Sequence, residues 1–130
     1  DKIKGAFAED DLFYDIIGCP LQESMIWANN IDLYFCHYGT IQHKVGWFAK
    51  KNGFVHSNSR VLANPERVLN YIVEKGIPPK FINPDWVEDF DNFKKRRMWQ
   101  AQSNLHNYKI KNKKAVFREI MDMVDGHKKS

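Results

Sequence analysis

The chain has 130 residues, 43% of them hydrophobic and 14% aromatic, which is enough to fill one core and excludes disorder throughout. With 28% charged residues and a mean hydropathy of −0.58, it contains no apolar run near the ~20 residues that a membrane span requires. Two cysteines, Cys19 and Cys36, are too few for a disulfide framework, so a single intracellular domain over 1–130 with reduced thiols is expected, cytoplasmic or nucleoid/nuclear. The chain opens at Asp1 rather than at Met, which reads as a fragment or a processed form.

The predicted elements run as follows. Residues 8–18 form a short helix with Leu12, Phe13, Ile16 and Ile17 on one face, stopped by Gly18 and Pro20. A second helix over 21–28 buries Leu21, Met25 and Ile26 and breaks at Asn29-Asn30. Residues 31–36 alternate, with Ile31, Leu33 and Phe35 on one side, which is a strand pattern. Gly39 marks a turn. Residues 40–51 form a helix with Thr40 as N-cap, and Asn52-Gly53 ends it. An extended, polar-centred stretch covers 54–62.

Asn64, Pro65 and Glu66 then open a helix with Val68, Leu69, Ile72 and Val73 inward and Gly76 as its stop. Pro78-Pro79 leads an extended connection through Phe81 and Ile82. The start signal recurs at Asn83-Pro84-Asp85, which predicts a helix carrying Trp86, Phe90 and Phe93 on one face. Residues 103–111 read as a loop. A last helix covers about 113–125, with Val116, Ile120 and Met123 inward and Gly126 as its stop. The sum is α+β and helix-rich, with four or five short helices and two or three short strands.

Charge is polarised along the chain. Residues 1–32 carry net −5, residues 33–93 net +1, and residues 94–130 net +8 from eleven bases and three acids. Clustered Lys and Arg attract polyanions, so nucleic acid leads the expected partners, DNA ahead of RNA, followed by an acidic protein; no membrane partner is expected. The run Lys94, Lys95, Arg96 and Arg97 spans more than one helical turn and cannot all face a core, which suits phosphate contacts. Trp99 beside it offers a stacking ring. Of Lys109, Lys111, Lys113 and Lys114, the last two sit at the predicted start of a helix, where cations oppose its macrodipole, and an external anion would relieve that. Segment 40–62 outlines a helix-turn-helix, but His56-Ser57-Asn58-Ser59 favours a loop or strand. Asn58 and Arg60 are residue types that read base edges.

Other chemistry is thinner. Cys36, His37, His43 and His56 suggest zinc, but their gaps of one, six and thirteen positions match no ordinary ligand spacing, so no metal or cofactor is expected. Asp32 with Lys50 or Lys51 outlines a metal-dependent nuclease, in which His37 or His43 would be the base. No second acid follows before Glu66, although Asp10, Asp11 and Asp15 could supply ligands from one helix. No phosphate-cradling Gly-rich loop and no nucleophile elbow occurs.

Residues 31–90 resemble a BRCT domain. The resemblance rests on the extended Ile31–Phe35, a helix ending at Lys51-Asn52-Gly53, Arg67-Val68 opening a helix, and Gly76-Ile77 leading to Phe81-Ile82-Asn83-Pro84-Asp85-Trp86-Val87. It implies a non-catalytic module for phosphopeptides, partner domains or DNA ends, with Trp86 on a helix after a short strand. The chain has Asn52-Gly53 for the glycine pair, Arg60–Ala63 where a Thr-His pair is usual, and Tyr38-Gly39 in place of Ser/Thr-Gly. No phosphate pocket transfers with it.

The expected function is a non-catalytic nucleic-acid-binding domain, of phage or mobile-element type. It would hold phosphates through Lys94, Lys95, Arg96, Arg97, Lys111, Lys113 and Lys114, with Asn58, Arg60 or Trp99 reading bases. A protein-interaction module and a metal-dependent nuclease are the alternatives.

Overall fold

The computed structural model describes residues 14, 16–65, 76–90 and 107–129. They form a mixed, helix-rich α+β fold with two small sheets. The expected helix at 64–76 lies almost wholly outside the described residues, as does most of the one at 8–18.

Helix α1 (Leu21–Asn30) starts after Pro20 and carries Glu23 in its first turn. Asn29 and Asn30 do not break it. Their side-chain amides donate back to the carbonyls of Met25 and Ile26, each at 2.8 Å, and so close the last turn. The buried residue is Ala28, while Leu21 and Ile26, expected inside, are more than 60% exposed.

Strand β1 (Leu33–His37) follows, and its inward face is that of Tyr34. Helix α2 (Thr40–His43) continues as a π-helical turn over Lys44–Phe48. The chain then reverses at Lys50, whose φ is +52°. Asn52-Gly53, expected to be the turn, instead opens β2 (Asn52–His56). Gly53 lies opposite Tyr34 in the β1–β2 register, where a side chain would overlap the Tyr34 ring and carbonyl. Packing across the strands, not turn chemistry, fixes this glycine.

Strand β2 is parallel to β1 and to β3 (Lys80–Phe81), in the order β1-β2-β3. Its residues alternate between two cores. Phe54 packs with Leu62, Ile82, Val87 and Val116. Val55, fully buried, packs on the other face with Ala28, Tyr34 and Val45. The central strand thus joins two apolar layers, and each core stabilises it by roughly 1.5–3 kcal/mol per buried side chain.

Three expectations change beyond β2. The 54–62 stretch is not extended throughout, because Asn58 caps a short helix α3 (Ser59–Leu62). Asn83 does cap a turn, its Oδ1 accepting from Asp85 N–H at 2.8 Å, but the turn is a single 3₁₀ turn over Pro84–Trp86. The chain leaves it as β4 (Val87–Asp89), so Trp86 and Phe90 share no helical face, and Phe93 lies outside the described residues. The expected loop supplies the partner, β5 (Tyr108–Ile110), antiparallel to β4. Here burial of Val87 and non-local pairing outweigh a local helix signal.

Helix α4 (Lys113–Lys128) begins where expected, Asn112 Oδ1 accepting from Ala115 N–H at 3.1 Å. Val116 is buried, with Ile120 and Met123 packed beside it. The helix runs through Gly126 instead of stopping there. Among the described residues no helix is long and apolar enough to cross a membrane.

Candidate functional site

Two surfaces carry chemistry. The first is the outer face of α4. Beside the inward Val116, Ile120 and Met123, the residues Lys113, Lys114, Phe117, Arg118 and Met121 make up an adjoining outer face of the helix. These five line a shallow groove of about 560 Å³. Phe117 is 65% exposed at its centre. Lys111, Lys113 and Lys114 are all exposed, and the first turn of α4 contains no acid. Lys109, one residue into β5, is held by Glu88 at 3.1 Å and sits over the exposed Phe90 ring. The result is aromatic surface edged by cations at the positive end of a helix.

Of the other sequence candidates, Lys94, Lys95, Arg96, Arg97 and Trp99 lie outside the described residues. Asn58 is wholly buried, and its Oδ1 accepts from Val61 N–H at 3.0 Å. Its position is explained by capping α3 rather than by reading bases. Arg60 is half-buried within α3, which is too short to act as a recognition helix after a strand.

The second surface was not anticipated. His37 and His56 are the last residues of β1 and β2 and are register partners. Their rings stand 5.7 Å apart, edge to face. Tyr108, the first residue of β5, stacks on His37 at 6.0 Å, and its hydroxyl is 2.6 Å from His56 Nδ1. Asp89 pairs with Tyr108 across β4–β5 and accepts hydrogen bonds from the Ser59 backbone N–H, at 3.0 Å, and from the Ser59 hydroxyl. Ser57 and Asn58, both fully buried, complete the polar end of β2. In open parallel sheets the crevice beyond the carboxyl ends of the strands is where ligands bind.

Burial, and then the neighbouring His37, pushes His56 below its ordinary 6.5 and favours the neutral ring. Burial, with the Asp89 carboxylate beside it, pushes the Tyr108 phenol up to about 12, so it stays protonated. Sequence reasoning grouped His37 and His56 with Cys36 and His43 as failed metal ligands. The structure separates them: His43 stacks on Trp47 at 4.1 Å, and burial pushes the Cys36 thiol up to about 11. Among the described residues no three His, Cys, Asp or Glu side chains gather to hold a metal. Asp32, the centre of the nuclease alternative, lies on the surface 3.8 Å from His127. The available signal was a histidine closing each of two apolar strands. Tyr108 could not be placed while 103–111 read as a loop.

Comparison with protein-family models, curated proteins and solved structures found no match to this chain.

Proposed function

We propose that this chain is a nucleic-acid-binding domain that holds the phosphate backbone along the outer face of α4. The observation that carries the reading is the exposed Phe117 ringed by Lys113, Lys114 and Arg118 at the start of a helix. Two lysines there cost folding stability, about 0.3–1 kcal/mol each, unless an anion is bound. An exposed aromatic among cations suits a backbone with unstacked bases, where each stacked base contributes roughly 1–3 kcal/mol. The net +8 of residues 94–130 suits the same class of partner, and Lys94, Lys95, Arg96, Arg97 and Trp99, which lie outside the described residues, are kept as further candidates for contact on sequence grounds.

The test is fluorescence anisotropy with labelled single- and double-stranded oligonucleotides at several salt concentrations. The expected result is binding that weakens steeply with salt and prefers single strands. Lys111→Gln, Lys113→Gln and Lys114→Gln combined should weaken binding to every sequence and flatten the salt slope by about 2–3, close to one for each phosphate no longer neutralised. Phe117→Ala should cost about 1–3 kcal/mol of single-strand affinity and leave the salt slope unchanged. Lys113→Glu should raise the melting temperature while weakening binding. No binding at low salt, or an unchanged slope in the triple variant, refutes the reading and leaves this face to an acidic protein partner.

A further inference from the structure

We infer that His37 and His56 form a metal-independent centre that cleaves RNA by internal transfer of its phosphodiester. This rests on the reading of the chain as a nucleic-acid binder and differs from the metal-dependent nuclease outlined by the sequence in its residues and its chemistry.

Two imidazoles are paired across the ends of β1 and β2. Rings 5.7 Å apart resist carrying two positive charges at once, so a proton on one imidazole leaves the other as a base. The depressed affinity of His56 for a proton makes it the base. Its Nδ1 is engaged by the Tyr108 oxygen at 2.6 Å, and in the base tautomer Nδ1–H donates to that oxygen. Nε2 then presents its lone pair. The Nδ1 bond need not break when Nε2 gains a proton, so Tyr108 is a positioning residue that holds the ring through the reaction. The pair stands at the carboxyl end of a parallel sheet and is half-buried. Tyr108, which touches the pair, is three residues before Lys111, roughly 10 Å along an extended chain, and Lys111 is the proposed phosphate contact nearest to it in sequence.

The chemistry that fits one base and one acid without a metal is transesterification at a ribose phosphate. His56 Nε2 removes the proton of the ribose 2′-hydroxyl. The 2′ oxygen forms a bond to phosphorus, and the bond from phosphorus to the 5′ oxygen breaks. The His37 imidazolium gives its proton to the departing 5′ oxygen. The products are a 2′,3′-cyclic phosphate and a free 5′-hydroxyl. One proton has moved from His37 to His56, and exchange with solvent resets the pair. No water, metal or oxidant is consumed, and DNA, which lacks the 2′-hydroxyl, is not a substrate.

The experiment uses the full chain in EDTA with three substrates. These are an unstructured RNA, the same RNA with a single 2′-deoxy position, and a pyrimidine–adenosine ribodinucleotide at millimolar concentration. Binding is followed in parallel with an uncleavable 2′-O-methyl RNA. Cleavage is expected with cyclic-phosphate ends, absent at the deoxy position. His56→Gln and His37→Gln should each slow it 10²–10⁴-fold while 2′-O-methyl RNA binding persists, which shows that the variants fold. Tyr108→Phe should slow it less and move the acid limb of the pH profile. RNA that binds but stays intact, cleavage that survives in both glutamine variants, or cleavage that requires a divalent cation each overturns the inference. Dinucleotide turnover without oligonucleotide binding would instead support the centre and remove the α4 reading.

Discussion

Replacing Asn58 by Ala tests whether this residue serves the fold or a bound base. Asn58 is fully buried, and its Oδ1 accepts the Val61 N–H at 3.0 Å. Loss of an N-cap costs about 0.5–2 kcal/mol. Val61 is itself buried, so its N–H would be left without that acceptor, and a stranded buried donor costs about 1–3 kcal/mol. The two figures overlap, since the cap is that bond, and the combined loss should be about 2–3 kcal/mol. At about 3–5 °C per kcal/mol for a domain of this size, the melting temperature should fall by roughly 6–15 °C. Urea unfolding followed by tryptophan fluorescence reads the change directly. Asn29→Ala is the control: its amide donates to the Met25 carbonyl at an exposed site, and its loss should cost under about 0.5 kcal/mol. If Asn58→Ala unfolds at the wild-type urea concentration yet binds nucleic acid with altered base preference, the structural account of Asn58 is wrong.

Three more outcomes follow from the packing and the titrating groups. Gly53→Ala should destabilise by about 1–3 kcal/mol or more, because the added methyl meets the Tyr34 backbone, which cannot swing aside; Gly126→Ala, in open space on α4, should stabilise by about 0.5–1 kcal/mol, and chemical denaturation distinguishes the two. Because the folded His56 binds its proton less readily than the unfolded ring, stability should decline as pH falls through the ordinary 6.5 toward the lower folded value, and His56→Gln should flatten that part of the curve of unfolding free energy against pH. Ser59→Ala removes the hydroxyl that donates to Asp89, and Asp89→Asn removes the acceptor's charge; the two should be strongly non-additive in a double-mutant cycle, whereas simple additivity would show that the pair does not couple α3 to β4.

What the sequence made legible was local. The Asn112 cap and the inward Val116, Ile120 and Met123 of α4 are decided within one or two turns and hold in the structure. So do β1 and the extended path at Phe81, and the overall α+β class. What escaped was decided at a distance. Val87–Asp89 follows a good helix start at Asn83-Pro84-Asp85, and its strand partner lies about 20 residues on, where Tyr108-Lys109-Ile110 alternates over only three residues. Asn52-Gly53 reads as a turn until Tyr34 is seen to need the space. At the candidate sites the same division holds. The exposed lysines at the start of α4 were readable from dipole arithmetic. The His37–His56 pair was not, because only parallel pairing brings positions nineteen apart into register.

The π-helical turn at Lys44–Phe48 bears on how this chain can change in length. Such a turn holds one residue more than the α-helical turn it replaces. Here Ala49 N–H reaches back to the Lys44 carbonyl, and the Gly46 carbonyl accepts from Ile77 N–H at 3.1 Å, tying a distant segment to the crossover. The crossover between β1 and β2 therefore stores a spare residue beside a position, Phe48, that is largely exposed. A lineage that lost Phe48 could rewind this segment as ordinary α-helix and still deliver β2 in register with β1. A loss within Asn52–His56 would shift Phe54 and Val55 onto each other's faces. Single-residue indels in descendants of this sequence should accordingly collect at the π turn and be purged from the strand that follows it.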